Sequence, residues 1–291
     1  MIFPVRNYDL AATLTSGQAF RWRLIAGGWE GVIAGHWVRL QLLDSGILAE
    51  TAVPIADWSW LTHYLQINLD HEAVLLSFPD DEPMRAAVGA CRGLRLLRQE
   101  PWECLASFIL SSTKQIVQIQ QIVSLLCHRF GASLVVPPGH EPVHSFPTPD
   151  RLAAASEAEL RASKMGFRAP NLRATAQAVA GQAIKLNSLP TRTVEEARHE
   201  LLKLPGVGNK IANCVLLFAY GFQEAFPIDV WVLKALRQLY FPKRRPTPRR
   251  LLRFTATHFG PSAGYAQQYL FHYMRQKGRS TPPPPERPTP F

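Results

Sequence analysis

The sequence predicts an α+β protein: an N-terminal antiparallel β-sheet domain followed by a mostly α-helical bundle. Three observations carry that reading. Between Ala19 and Glu50, short β-prone runs are divided by Gly27-Gly28, Gly35 and Asp44-Ser45-Gly46, which are hairpin signals. From about residue 100 the apolar period becomes helical, as in Ile116, Ile119, Ile122, Val123 and Leu126. The 291 residues are 47% hydrophobic and 19% charged, enough apolar material for a real core, in two domains or one large composite.

Taken in order, residues 1 to about 55 read as sheet, with Trp22, Trp29 and Trp37 suited to a half-buried pleated surface. Helices are predicted at about 57–66 and 82–91. Pro101 is tolerated in a first turn and opens a helix over 102–112, and Gly131 stops the one after it. Ser156 with Glu159, and Thr193 with Glu196, have capping-box spacing. Further helices are predicted at about 157–164, 169–181, 194–203, 209–220, 229–240, 248–258 and 263–277. The expected domains are 1–95, a sheet with flanking helices, and 96–277, a helical domain with a helix-hairpin-helix at about 194–221. A tail over 278–291, with six prolines in its last ten residues, is expected to be disordered.

Composition narrows the function. Thirty-two Lys and Arg against 22 Asp and Glu leave a charge of +10, which favours a phosphate-rich partner. No apolar run is long enough to span a bilayer, so no membrane partner is expected. The first residues lack a signal-peptide pattern. The expectation is an intracellular protein, in the cytoplasm or nucleoid of a bacterium or the nucleus of a eukaryote. Cys91, Cys104, Cys127 and Cys214 are too dispersed for a zinc or iron–sulfur pattern and read as free buried thiols.

The stretch that carries chemistry is Leu204-Pro205-Gly206-Val207-Gly208-Asn209-Lys210. A leucine-rich helix ends, a tight turn follows and a second helix begins. Gly206 and Gly208 permit positive φ and close backbone approach. The unpaired N–H groups of the second helix can then hold a phosphate. That is a helix-hairpin-helix grip on a DNA backbone. Lys210 lies in the first turn of this second helix, where the helix dipole disfavours a charged ammonium and so favours a nucleophilic amine. Nineteen residues later, Asp229 stands where another helix should start. A carboxylate there can cap the helix and face a cationic transition state. Alone, Lys210 reads as a solvated lysine and Asp229 as an N-cap; together with the hairpin they read as a site.

These residues resemble the helix-hairpin-helix DNA glycosylase superfamily, and more closely its 8-oxoguanine DNA glycosylase/lyase family of eukaryotic type. The resemblance runs from about Asp9 to Gln276. It is carried also by Ser16-Gly17-Gln18-Ala19-Phe20-Arg21-Trp22, by Gln99-Glu100-Pro101-Trp102-Glu103-Cys104-Leu105 with Ser111-Ser112, by Lys164-Met165-Gly166-Phe167-Arg168, and by Gly264-Tyr265-Ala266-Gln267 through Phe271. It implies that Lys210 attacks the sugar of a flipped nucleoside, expels the damaged base and leaves a Schiff base, followed by β-elimination. Asp229 then stabilises the cationic sugar. Gly17 reads the oxidised base through its carbonyl, Cys214 and Phe271 stack on its two faces, and Gln267 bonds its pairing edge. Phe167 wedges into the duplex and Arg168 meets the orphaned base.

The family has an asparagine run after Ser-Ser and an arginine that also contacts the opposite cytosine. Here Thr113-Lys114-Gln115 and Gln118 stand there instead, which predicts weak opposite-base selectivity. The resemblance implies a monomer acting on double-stranded DNA that contains oxidised guanine. It implies no required cofactor and no iron–sulfur cluster, and leaves room for a structural cation in the hairpin loop. The basic residues Lys243, Arg244, Arg245, Arg249, Arg250 and Arg253 could track phosphate or form a solvated loop. Two rivals stand beside this reading. A monofunctional alkylbase glycosylase keeps the aspartate but lacks the lysine. A non-enzymatic helix-hairpin-helix DNA-binding protein leaves Asp229 and the Gly17 motif unexplained.

Overall fold

The computed structural model describes residues 1–112, 114–243 and 245–280. Thr113 and Arg244, and all but the first three residues of the predicted tail, lie outside the described residues. The chain opens with β1 (Ile2–Phe3) and α1 (Leu10–Thr15). The opening segment therefore contains a helix where sheet was expected. Asp9 caps that helix, its carboxylate accepting from the Ala12 N–H at 2.8 Å, and Leu10 and Leu14 bury one face.

Four strands follow: β2 (Arg23–Ile25), β3 (Gly28–Ile33), β4 (His36–Leu43) and β5 (Gly46–Thr51). They pair antiparallel in the order β1-β5-β4-β3-β2. The predicted turns are two-residue hairpins. In two of them both loop residues take positive φ, Ala26 at 45° with Gly27 at 76°, and Ala34 at 49° with Gly35 at 78°. That is the type I′ geometry whose twist matches the strands.

The helical part comprises α2 (Ser59–Leu65), α3 (His71–Leu76), α4 (Glu82–Ala90), α5 (Pro101–Leu110), α6 (Ile116–Phe130), α7 (Pro149–Ala154), α8 (Glu157–Leu160), α9 (Ala169–Ala180), α10 (Val194–Leu202), α11 (Asn209–Val215), α12 (Val230–Ala235), α13 (Pro248–His258) and α14 (Ala263–Ser280). Helices α3 and α7 add to the predicted set; Asp70 and Thr148 cap them. Helices α11 and α12 continue as π-turns to Tyr220 and Tyr240, which accounts for their predicted lengths. Helix α8 likewise continues as a π-turn over Arg161–Met165, and the helical run ends near its predicted limit, where Lys164 takes φ 63° and Gly166 φ 61°. Helix α14 runs to Ser280, past the predicted start of the tail.

Two cores result. One lies under the sheet and includes Leu14, Trp22, Val38, Leu40, Ile47 and Leu65. The larger surrounds α5, whose residues from Cys104 to Leu110 are all buried, as expected for a helix apolar on every side. Helix α14 belongs to the larger core and is bonded there to the segment before α5. The Tyr265 hydroxyl accepts from the Leu96 N–H at 3.0 Å, and the Tyr269 hydroxyl donates to the Arg92 carbonyl at 2.8 Å. All four cysteines are free and buried. Among the described residues, no helix is long and apolar enough to cross a membrane.

Candidate active site

Six chain segments converge on a cavity of about 700 Å³: the turn after α1, the C-terminus of α5, the starts of α6, α11 and α12, and one face of α14. Gly17, Ser111, Lys210, Cys214, Asp229, Gln267 and Phe271 all line it. A second cavity of about 690 Å³ lies between the sheet and α6 and holds none of these residues.

Lys210 is the second residue of α11. Its Nζ donates to Ser111 Oγ at 2.9 Å, and that hydroxyl donates onward to the Phe108 carbonyl at 2.7 Å. The serine proton is thus committed to the backbone, and the serine lone pair holds the amine in place. The Phe108 ring lies beneath the amine, its centroid 5.0 Å from Nζ, and adds a cation–π contact. Cys214, one turn along α11, is buried, which pushes its thiol up to about 11 even though Lys210 pulls the other way. Asp229 caps α12, its Oδ1 accepting from the Val232 N–H at 2.8 Å. Burial holds its carboxyl above the usual carboxylate range, against the opposing pull of that hydrogen bond and of the Lys210 charge. Asp229 is thus the N-cap that the sequence allowed, and it also lines the cavity that holds Lys210.

Opposite this pair, Gly17 takes φ 80°, a conformation that disfavours any side chain. A Cβ there would sit 2.7 Å from Ile116 Cδ1 and 3.4 Å from Phe271 Cε1. Gln267 is buried, and its Oε1 has no hydrogen-bond partner among the described residues. An unsatisfied buried amide oxygen costs roughly 1–3 kcal/mol, which a ligand N–H would recover.

In the hairpin, Gly206 takes φ 78°, but Gly208 is extended (φ −100°, ψ −179°), so the expected positive φ applies to Gly206 alone. What Gly208 offers is room, because a Cβ there would meet nothing within 4 Å. Helix α11 also lacks a side-chain cap, whereas α10, α12 and α13 are capped by Thr193, Asp229 and Thr247. Its first N–H groups are left for a partner such as a phosphate. DNA affinity should therefore fall steeply with salt, each phosphate contact contributing roughly −0.9 to the slope of log K against log salt. Binding isotherms from low to physiological salt check this, and a flat dependence would refute it.

The residues expected to meet the duplex are placed differently from one another. Phe167 is 61% exposed. Arg168 is buried: it stacks on Phe167 at 4.3 Å and donates to the Ser112 and Met165 carbonyls. Gln118 is exposed and serves as a helix cap, its Oε1 accepting from the Gln115 N–H at 3.1 Å. Thr113 lies outside the described residues. With Gln118 and Arg168 engaged in this way, discrimination at the opposite base should be weak. Single-turnover excision opposite adenine, guanine or thymine is expected within about tenfold of that opposite cytosine, the factor that ~1.4 kcal/mol allows. A preference of a hundredfold or more on four otherwise identical duplexes would show that other residues read the base.

Sequence reasoning missed the roles of Ser111 and Phe108 against Lys210, and missed Trp231 and Ile116 in the cavity wall. Trp231 had a usable signal, since it follows Asp229 by two residues. Among the described residues, no group of three or more His, Cys, Asp and Glu is placed to hold a metal ion.

Comparison with known proteins gives the family. Residues 1–105 match the N-terminal domain of 8-oxoguanine DNA glycosylase, and residues 106–259 match the HhH-GPD superfamily of base excision DNA repair proteins. The N-glycosylase/DNA lyase OGG1 of Arabidopsis thaliana is 30% identical over 92% of this chain and 79% of its own length. A probable N-glycosylase/DNA lyase of Methanothermobacter thermautotrophicus is 28% identical over 96% of this chain and 97% of that protein. Among solved structures, the Clostridium acetobutylicum 8-oxoguanine glycosylase/lyase in complex with dsDNA containing cytosine opposite 8-oxoG superposes with a TM-score of 0.87, at 28% identity and 94% coverage of both chains. A match unbroken from residue 1 to residue 259, with relatives that share nearly its whole length, makes the chain a member of the 8-oxoguanine DNA glycosylase family on the helix-hairpin-helix base-excision fold.

Proposed function

We propose that this protein is a bifunctional DNA glycosylase/lyase that excises 8-oxoguanine from duplex DNA in base excision repair. One observation carries the reading: the amine of Lys210 and the carboxylate of Asp229, each set at a helix start, line one cavity with the Gly17 turn. The cavity has room for one flipped nucleoside, and extrusion from the stack costs a few kcal/mol that pocket contacts return. Lys210 Nζ, as the neutral amine, forms a bond to the anomeric carbon as the glycosidic bond breaks; the electron pair leaves with the base, which takes up the proton that Nζ gives up. Asp229 stabilises the positive charge that develops on the sugar. Ring opening leaves a Schiff base. Loss of a 2′ proton and departure of the 3′ phosphate then cleave the strand.

Gly17 presents its carbonyl to the N–H that oxidised guanine carries and guanine lacks. Cys214 and Phe271 enclose the base, and the unpartnered oxygen of Gln267 accepts from its pairing edge. Gly206 and Gly208 bring the hairpin backbone against a phosphate, and Phe167 fills the space the base leaves. The nucleophile and the counter-charge are both side chains, so the proposed chemistry needs no cofactor. A monofunctional glycosylase would have no use for an amine held 2.9 Å from Ser111 inside the pocket. Borohydride trapping on a duplex with one 8-oxoguanine tests the proposal. A covalent adduct and a β-elimination product are expected, and base release without an adduct would overturn the lyase half.

A further inference from the structure

Helix α1 ends at Thr15, and its last carbonyls need partners from elsewhere in the fold. They find them in series. The Thr13 carbonyl accepts from Gln18 Nε2 at 2.8 Å, the Thr15 carbonyl from Arg275 Nη1 at 3.1 Å, and the Ser16 carbonyl from Gln268 Nε2 at 3.0 Å. Gln18 closes the far side of the turn, since its Oε1 accepts from the Leu97 N–H at 2.8 Å. The next carbonyl in the series is that of Gly17, and among the described residues no hydrogen bond goes to it. Gln268, Phe271 and Arg275 recur at three and four residues along α14, so a single face of that helix grips the turn. Phe271 supplies the packing between the two polar contacts, 3.4 Å from where a Gly17 Cβ would be.

We propose that Gln268 is a positioning residue for base recognition: by holding the Ser16 carbonyl it fixes the Gly17 peptide, and so the acceptor that separates oxidised guanine from guanine. This rests on the reading of Gly17 as that acceptor. The physical need is clear. The two bases differ at the ring atom concerned by one N–H, so discrimination depends on one acceptor being in place before the base arrives. A glycine at φ 80° does not hold itself there, because its peptide has more freedom than that of any other residue. Both Gln268 and Ser16 are buried, so water does not compete for their hydrogen bond.

The test separates base reading from the covalent chemistry. Gln268→Leu removes the donor while keeping an apolar body, and Gln268→Glu replaces the donor with an acceptor that faces another acceptor. Each is assayed on two duplexes, one with 8-oxoguanine and one with an abasic site, which offers Lys210 an aldehyde and no base to read. Both variants should lose single-turnover excision of 8-oxoguanine by about tenfold or more, with weakened affinity for the 8-oxoguanine duplex. Borohydride trapping at the abasic site should stay within about twofold of wild type. Unchanged excision in both variants would overturn the proposal, and so would a parallel loss on both duplexes, which would mark Gln268 as scaffold only. If the wild-type protein traps at abasic sites but excises no 8-oxoguanine, the substrate reading fails, and this inference with it.

Discussion

A Lys210→Gln protein should fold, bind lesion DNA and form no borohydride-trapped adduct, a loss of at least about 10³-fold, the scale seen when a covalent nucleophile is removed. The substitution suits the site. Glutamine keeps a donor that can reach toward Ser111 Oγ, so the 2.9 Å contact has a neutral replacement. The cation–π contact with Phe108 is lost, at roughly 0.5–2 kcal/mol, which should lower the melting temperature but leave the protein folded. The control is internal to the cavity. Lys114 lines the same wall and is the other lysine there among the described residues. A Lys114→Gln protein should trap at near the wild-type level. If instead Lys210→Gln still traps and Lys114→Gln does not, the nucleophile has been misassigned.

How far this site could be read before the fold was known depends on how local each signal is. Lys210 and Cys214 were legible as partners because four residues on a helix fix one face, and Asp229 because an aspartate before an apolar helix is a cap wherever it occurs. The hairpins after Ile25 and Ile33 were legible for the same reason: two-residue turns ending in glycine permit few geometries. Ser111 was visible as part of a motif but not as the anchor of Lys210, because 99 residues separate them and only the packing of α5 against α11 brings them together. The placement of Arg168 was not legible either. Arginines are mostly exposed, and nothing local foretells that the left-handed turn at Lys164 and Gly166 directs this one onto the Ser112 carbonyl. Helix α1 was hidden by its length. Six residues carry too little periodicity to outweigh the sheet signals around them, and its end is completed by side chains from α14.

The charge of Asp229 should matter to rate and hardly at all to the helix it caps, and Asp229→Asn isolates that charge. Asparagine caps a helix about as well as aspartate does, so the bond to the Val232 N–H survives while the negative charge goes. Single-turnover excision should fall by about 10²–10³, the range for removing one preorganised electrostatic partner of a transition state, with DNA affinity changed by less than about twofold. Stability should move the other way. Because burial raises the folded-state pKa of this carboxyl above its unfolded value, the native protein binds its proton more tightly than the unfolded chain does. Stability from this group is therefore present below the unfolded pKa and is lost as pH rises through the folded one. At neutral pH the ionised, half-buried carboxylate is a cost to the fold that asparagine avoids. The variant should melt at or above the wild-type temperature at pH 7, and that margin should shrink as the pH is lowered. Activity carries the matching sign. The wild type needs the ionised form, so its excision rate should begin to fall at a higher pH than an ordinary carboxylate would dictate, and the Asn variant should lose that acid limb. A variant that melts well below wild type at neutral pH, with its rate loss tracking the fraction unfolded, would show that Asp229 serves the helix and not the sugar.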